Sequence, residues 1–279
     1  MAILPQMAMR KTDLLAILER LDLHPSRTLG QNFLVDENCL EALVQAANPL
    51  AGETVLEIGP GTGVLTERLL ASGCQVTAIE FDSRLYSFLQ EKFLGEKRLR
   101  LIHADACRVD YAELFSIETP FRVIANLPYS CTSPLLAKLA DLVHSPTSLH
   151  VLLQLEMAER LTANVGTKEY GSLTARLAIR YASSIVRRVP HGVFFPPPEI
   201  DSAFLQMTRL PQETTREVLK RTDALINAAF AQRRKQARRL LAGVAPDVDW
   251  NTALAQLGLP ETVRAEDISP RQYLTLAML

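Results

Sequence analysis

Cysteine is scarce in this sequence, and its four copies are far apart. They stand at Cys39, Cys74, Cys107 and Cys131, with no CxxC pair among them. Neither a disulfide framework nor a cysteine-based zinc site is therefore expected, and the pattern is typical of a reducing cytoplasm. The five histidines are equally scattered, so the sequence predicts no metal site.

Long apolar runs are also missing. Charged residues interrupt every hydrophobic stretch well before the roughly 18 residues that a membrane-spanning helix needs. The first residues, MAILPQMAMRKTDLL, lack the long apolar core and the small-residue cleavage site of a signal peptide. We therefore expect a cytoplasmic protein without a membrane partner. Its 48% hydrophobic and 22% charged residues are ordinary for a globular protein with a sizeable core.

What the sequence does contain is a regular alternation of strand-like and helix-like segments. After two amphipathic helices, predicted at 11–23 and 36–49, the alternation continues as far as the segment LHVLLQLE. This order predicts an α/β fold with βαβ units and a parallel sheet, whose ligands lie outside the carboxyl ends of the strands. From about residue 209 the patterns are helical only. We therefore expect a sheet domain at 1–208 and a small helical domain at 209–279.

Three glycines lie close together in EIGPGTG, between a predicted strand and a predicted helix. Gly59, Gly61 and Gly63 would allow the backbone of this turn to approach a ligand closely. The dinucleotide fingerprint GxGxxG requires a further glycine at position 64, where this sequence has Val64. The glycine pattern alone leaves a dinucleotide and S-adenosylmethionine open as ligands.

Acidic residues close the next two predicted strands. Glu80 ends VTAIE, where a carboxylate can accept both hydroxyls of a ribose, as it does in dehydrogenases too. Asp105 ends LIHADAC, where it can accept from an adenine amino group. Each acid could instead be a solvated strand-end charge or a helix cap. Two successive acids after the glycine turn favour S-adenosylmethionine.

Eight short motifs follow one another along the chain: LGQNFLVDENCL, VLEIGPGTGVLT, AIEFD, DAC, NLPYSCTSPLL, GTKEYGSLTA, FFPPPEIDSAF and QRRKQARRLL. Taken together and in this order, they resemble the KsgA family of ribosomal RNA adenine dimethyltransferases over about residues 27–242. The resemblance implies a Rossmann-like, S-adenosylmethionine-dependent methyltransferase sheet and a small C-terminal α-helical domain that binds RNA or the ribosome. The cofactor-binding residues that follow are Asn32, Leu34, Gly59, Gly61, Glu80, Asp105 and Asn126.

The resemblance also implies a substrate. The family dimethylates two adjacent adenosines near the 3′ end of small-subunit ribosomal RNA, with a role in small-subunit maturation. We therefore expect a monomeric enzyme whose partner is this RNA within an assembling small ribosomal subunit. The net charge of −1 is less basic than expected for an RNA enzyme, which favours an assembled particle over naked RNA.

The NLPY turn carries the catalytic chemistry that the resemblance implies. The Asn126 side-chain oxygen and a carbonyl of the Leu127-Pro128 bend can accept the hydrogens of the adenine amine and so localise its lone pair. Tyr129 can stack on a base that is flipped out of its helix. By the family motif, Phe194 is expected to face Tyr129 across that base. The plainer alternatives are that NLPY is a β-turn with a buried tyrosine and that Phe194 is a core phenylalanine.

Basic residues are concentrated in AQRRKQARRLL, which we predict to lie on one C-terminal helix. Positions 234, 235, 238 and 239 would share a face of that helix. A charge run of this kind is usually a solvated helix face, but the resemblance favours contacts to RNA phosphates. The predicted RNA-binding residues are Arg233, Arg234, Lys235, Arg238 and Arg239.

Three other functions are compatible with parts of the sequence. A large-subunit RNA methyltransferase of the related antibiotic-resistance type is disfavoured by the leucine of NLPY and by GTKEYG. A ribosome-assembly or transcription factor without catalysis is disfavoured because Asn126 and the glycine turn are intact. A dehydrogenase is disfavoured by Val64 and by Asp105 together with NLPY.

Overall fold

The computed structural model describes residues 10–25, 30–115, 119–211 and 214–279. The chain divides into two compact units, Met1–Leu155 with Ile185–Met207 and Glu156–Ser184 with Thr208–Leu279. This division differs from the predicted boundary after residue 208, because residues 156–184 belong with the C-terminal segment. No described helix has the length and apolar character that crossing a membrane requires.

Parallel pairing dominates the described sheet. The strands are β1 (Phe33–Leu34), β2 (Thr54–Ile58), β3 (Gln75–Glu80), β4 (Leu99–His103), β5 (Phe121–Asn126), β6 (Ser148–Gln154), β7 (Tyr181–Val189), β8 (Phe194–Phe195) and β9 (Ser202–Arg209). Seven of them form a sheet in the order β4-β3-β2-β5-β6-β9-β7, and β1 pairs with β8 separately. Strand β2 runs parallel to β3 and β5, as do β3 to β4 and β5 to β6. The predicted parallel sheet is confirmed.

Several of the described helices begin at a residue whose side chain caps them. The helices are α1 (Lys11–Arg20), α2 (Glu37–Ala47), α3 (Val64–Ala71), α4 (Ser83–Lys92), α5 (Tyr111–Leu114), α6 (Thr132–Ala140), α7 (Leu155–Leu161), α8 (Ser172–Arg180), α9 (Arg216–Phe230), α10 (Ala237–Leu241), α11 (Trp250–Gln256) and α12 (Pro270–Leu276). The Asp36 carboxylate accepts the Cys39 N–H at 2.7 Å and opens α2. Asp82 accepts the N–H groups of Arg84 and Leu85 and opens α4.

The core of the first unit lies along its central strands. Val55, Leu56, Val123, Val151 and Leu152 are fully buried on β2, β5 and β6. Burying one such side chain completely contributes about 1.5–3 kcal/mol. These strands are therefore the rigid support from which the loops at their carboxyl ends extend.

The second unit is helical, but its basic segment is not one helix. Helix α9 ends at Phe230 and α10 begins only at Ala237, so the prediction of a single helical stretch with one basic face is wrong. The break has a tertiary cause. The fully buried Ala237 donates its N–H to the Val263 carbonyl at 2.8 Å. In an uninterrupted helix, this N–H would instead donate to the carbonyl four residues earlier.

Candidate functional site

A cavity of about 320 Å³ lies in the first unit, beyond the carboxyl ends of β2, β3, β4 and β5. All the predicted cofactor-binding residues line it, and so do four of the five predicted catalytic residues. These lining residues are Asn32, Leu34, Gly59, Gly61, Glu80, Asp105, Asn126, Leu127, Pro128 and Tyr129. The fold therefore gathers side chains from distant parts of the sequence around one space.

The glycine turn forms one wall of the cavity. Gly59 has a φ of +65° and Gly61 a φ of +60°, which side-chain-bearing residues rarely adopt. A Cβ atom on Gly59 would lie 3.2 Å from Cγ of Pro128. The absence of a side chain at Gly59 thus lets the glycine turn lie directly against the NLPY turn.

The Glu80 carboxylate is held in place by backbone groups. Its Oε1 accepts the Asp82 N–H at 2.9 Å, and its Oε2 accepts the Gly61 N–H at 3.2 Å. Burial raises the pKa of Glu80, while these N–H groups act in the opposite direction. Since a carboxylate oxygen can accept more than one hydrogen bond, each oxygen keeps acceptor capacity for a ligand.

Asp105 both stabilises a turn and lines the cavity. Its Oδ1 accepts the Cys107 N–H at 2.8 Å, which fixes the turn after β4, and its Oδ2 lies 3.4 Å from Nε of the exposed Arg108. The same residue lines the cavity. Its turn-forming hydrogen bond therefore orients the carboxylate without taking it away from the site.

The NLPY turn has two hydrogen-bond acceptors for which the described residues provide no donor. Asn126 donates from Nδ2 to the Asn32 carbonyl at 3.1 Å, and this bond fixes the orientation of the amide. The Pro128 carbonyl accepts from the Cys131 N–H at 3.2 Å and the Thr132 hydroxyl at 3.1 Å. Within the described ranges, no donor pairs with the Asn126 Oδ1 or with the Leu127 carbonyl. Of the two carbonyls in the bend, that of Leu127 is therefore the one available to a substrate.

Tyr129 lies beside these acceptors and is itself anchored. Its hydroxyl and the Ser202 hydroxyl are 2.7 Å apart. Burial raises the pKa of the Tyr129 phenol, and the bond to Ser202 opposes this increase. The ring is therefore neutral at physiological pH, as a stacking surface would be.

The structure does not bring Phe194 to the cavity. Its side chain is 2% exposed and packs in the apolar cluster that includes Leu34, Val189 and Phe204. Strand β8 carries it opposite Leu34 of β1, and this pairing directs it into the core. In this structure Phe194 is a core phenylalanine, as the plainer alternative has it, and its position across a base from Tyr129 stays a prediction.

Two further residues that line the cavity, Glu57 and Phe81, were not predicted from the sequence. Glu57 is 1% exposed, and its Oε2 accepts the Thr66 hydroxyl at 2.7 Å. Burial raises its pKa to about 8, although the bond from Thr66 lowers it. The signal was available, since Glu57 is a charged residue inside the otherwise apolar strand TVLEI. Phe81 also lines the cavity with 57% of its surface exposed, and its position directly after Glu80 could have indicated it.

The predicted RNA-binding residues lie in the second unit and fall into two groups. Arg233 donates to the carbonyls of Lys168 and Tyr170, and Arg238 donates to Oδ1 of Asn251 at 2.6 Å. These two arginines have structural partners. Four of the five are exposed, and of these Arg234, Lys235 and Arg239 have no side-chain partner among the described residues.

Metal binding has no support in the described part of the chain. No cluster of three or more His, Cys, Asp or Glu side chains there has an arrangement suited to a metal ion. The cysteines in that part of the chain are free.

Comparisons with known proteins give consistent matches. A family model described as ribosomal RNA adenine dimethylase matches residues 24–279. The ribosomal RNA small subunit methyltransferase A of Erythrobacter litoralis is 39% identical over 268 aligned positions, which cover 94% of this chain and 92% of that protein. The protein of the same name from Lactobacillus helveticus is 36% identical over 273 positions, covering 94% of this chain and 93% of that protein.

Two solved structures resemble the chain over most of its length. A dimethyladenosine transferase from Plasmodium falciparum superposes with a TM-score of 0.71 and 25% identity, covering 88% of this chain and 95% of that one. The 23S rRNA methyltransferase ErmE superposes with a TM-score of 0.67 and 25% identity, covering 88% of this chain and 98% of that one.

Proposed function

Because the chain belongs to the ribosomal RNA adenine dimethylase family, we propose that it dimethylates two adjacent adenosines near the 3′ end of small-subunit ribosomal RNA at N6. The predicted Rossmann-like methyltransferase fold is confirmed by the strand order and by both structural relatives. The observation that carries the proposal is a pair of acceptors at the cavity, the Asn126 side-chain oxygen and the Leu127 carbonyl, to which no described residue donates. Similar curated proteins are named for the small subunit, which favours that substrate.

The cavity fits S-adenosylmethionine as the methyl donor. Its volume of about 320 Å³ is in the range of small-molecule sites. Glu80 offers acceptor capacity to ribose hydroxyls, Asp105 offers a carboxylate to an adenine amino group, and the exposed Phe81 ring offers a stacking surface. Asn32, Leu34 and the glycine turn would complete the binding site. Bound S-adenosylmethionine would supply an electrophilic methyl group on a positively charged sulfur.

The NLPY turn prepares the adenine amine for transfer. The amine is a poor nucleophile because its lone pair is delocalised into the ring. Acceptance of its two hydrogens by Asn126 Oδ1 and the Leu127 carbonyl localises that lone pair and aims it into the cavity. The Tyr129 ring stacks on the flipped base and keeps it in plane. No strong base is needed at this step, because the amine attacks a cationic group and its proton can leave afterwards.

The second transfer to the same nitrogen imposes a further requirement. The monomethylated amine has one hydrogen left, so it needs only one of the two acceptors. The first methyl group must then fit beside the other acceptor. Space in the cavity, rather than an additional residue, therefore permits dimethylation.

The RNA contacts are assigned to the exposed cations of the second unit. Arg234, Lys235 and Arg239 have no carboxylate partner within the described ranges, so their charge is available to phosphates. Such contacts position an RNA but do not read its sequence. Because these contacts do not select one RNA, the shape of an assembling small subunit would provide the selectivity. We expect the enzyme to act on this particle as a cytoplasmic monomer.

The test uses purified protein and S-adenosylmethionine carrying a labelled methyl group. Undermethylated small subunits, large subunits and naked ribosomal RNA are offered separately, and the nucleosides are resolved after digestion. We expect label in N6,N6-dimethyladenosine from small subunits, and none with the Asn126→Ala variant, which should keep most of its cofactor binding through the remaining residues of the site. Label from large subunits would move the assignment to the activity named for ErmE. Cofactor binding without transfer to any RNA would favour an assembly factor.

A further inference from the structure

Tyr129 is held at its far end by a residue from a distant part of the chain. Its hydroxyl lies 2.7 Å from the hydroxyl of Ser202, the first residue of β9. Ser202 is 0% exposed, whereas Tyr129 lines the cavity. One side chain therefore links the interior of the sheet to the aromatic surface of the site.

The support behind Ser202 is firm. The neighbouring Asp201 accepts the Leu155 N–H with its backbone carbonyl at 2.9 Å. The Asp201 carboxylate accepts the His191 N–H at 2.9 Å and lies 2.8 Å from Nδ1 of His191. Since the preceding residue is fixed through both its backbone and its side chain, the Ser202 hydroxyl is a fixed point rather than a mobile partner.

The base of Tyr129 is restrained as well. A Cβ atom on Gly30 would lie only 2.9 Å from the Tyr129 nitrogen, so two backbone segments are in close contact there. A tyrosine hydroxyl lies on the long axis of its ring. When the backbone end and the hydroxyl end are both fixed, the direction of that axis is fixed, and the ring can only rotate about it.

We propose that Ser202 is a positioning residue for methyl transfer, which through its hydrogen bond sets the inclination of the long axis of the Tyr129 ring against the target adenine. This inference rests on the proposed function. A base that stacks on a tilted ring would present its amine at an angle to Asn126 and Leu127. Loss of the Ser202 hydroxyl should therefore impair the chemical step, while RNA binding, which depends on phosphate contacts, should change little.

The kinetic test compares three variants with the wild type on undermethylated small subunits. Ser202→Ala and Tyr129→Phe each remove one side of the same hydrogen bond, so each should lower kcat about tenfold with little change in the KM for the particle. The double variant should be no worse than either single variant, because only one interaction is lost. Independent losses that multiply would contradict the coupling.

A matched control separates positioning from general destabilisation. Ser148→Ala removes a serine hydroxyl that accepts from Arg122 Nε at 3.0 Å, at the start of β6. It should lower thermal stability by an amount similar to that of Ser202→Ala and leave kcat unchanged. An equal fall of kcat in both variants would assign Ser202 a purely structural role.

Crystal structures of the wild type and of Ser202→Ala give a readout that does not depend on activity. We expect the Tyr129 hydroxyl to move from its wild-type position by more than about 0.5 Å in the variant. An unmoved ring would overturn the inference even if the enzyme methylates small subunits. A displaced ring in an enzyme that methylates no RNA would instead contradict only the proposed function.

Discussion

Substitution of Gly59 by alanine tests whether the glycine turn and the catalytic turn act as one unit. Gly59 has a φ of +65°, and its missing Cβ would lie 3.2 Å from Cγ of Pro128. The variant therefore has two separate effects, a strained backbone at residue 59 and a steric contact between the new Cβ atom and Pro128 of the NLPY turn. Gly52→Ala is the matched control, because Gly52 has a φ of +84° but nothing within 4 Å of its missing Cβ.

The two effects have different magnitudes and different readouts. An alanine in the left-handed region costs about 1–2 kcal/mol. In a protein of this size, that cost corresponds to a fall in Tm of about 2–8 °C, which Gly52→Ala should share. The steric contact with Pro128 displaces the Leu127-Pro128 bend by a few tenths of an ångström. Since a misplacement of about 1 Å can reduce a rate about 100-fold, we expect about a 5–10-fold loss of methyl transfer in Gly59→Ala alone.

The assay measures Tm by calorimetry, together with kcat for transfer of labelled methyl groups to undermethylated small subunits. We expect similar Tm values for the two variants and a kcat defect only for Gly59→Ala. Equal kcat values in both would refute it, because the contact with Pro128 would then have no effect on the aligned acceptors.

Three further changes test other parts of the site. Glu80→Gln keeps the shape of the side chain but removes its charge, so calorimetric titration should show weaker S-adenosylmethionine binding by about tenfold; wild-type affinity would exclude Glu80 from the binding site. Reversing Arg234 and Arg239 to glutamate should weaken particle binding and flatten its salt dependence, whereas Arg238→Gln, which alters a residue paired with Asn251, should not change the salt dependence. Burial raises the pKa of Glu57 to about 8 in the folded protein, so the stability that comes from keeping this carboxyl protonated is present below about pH 4.5 and is lost as the pH rises to about 8. In denaturant unfolding, the free energy of unfolding of Glu57→Gln should therefore exceed that of the wild type by an amount that grows with pH, whereas a constant difference would contradict this assignment.

Local sequence signals predicted most of the first unit. Helix α2, the glycine turn and the acids that end β3 and follow β4 could be placed because each depends on neighbours in the sequence or on strand order. Once the sheet is parallel, residues after successive strands must meet at one edge. Most of the candidate site follows from that single geometric rule.

The features that were not predicted depend on long-range packing. Phe194 fits its motif equally well at a site or in a core, and only the pairing of β8 with β1 places it in the core. The break between α9 and α10 requires the Val263 carbonyl and the anchoring of Arg233 at Lys168, neither of which a helical pattern reveals. The sequence does not reveal which carbonyl of the Leu127-Pro128 bend is already hydrogen-bonded; the structure shows that it is the carbonyl of Pro128.

The chain passes from the first unit to the second at residue 155 and returns to the first unit at residue 185 before it leaves again. The smaller unit is therefore assembled from two separate stretches of sequence. Within it, Ala175 and Ile179 of α8 belong to the same apolar cluster as Leu225 and Ile226 of α9. A chain that stopped after residue 207 would keep α8 but expose its apolar face to water. The two units are thus not modules joined end to end along the sequence, and a single cut in the chain cannot separate one from the other.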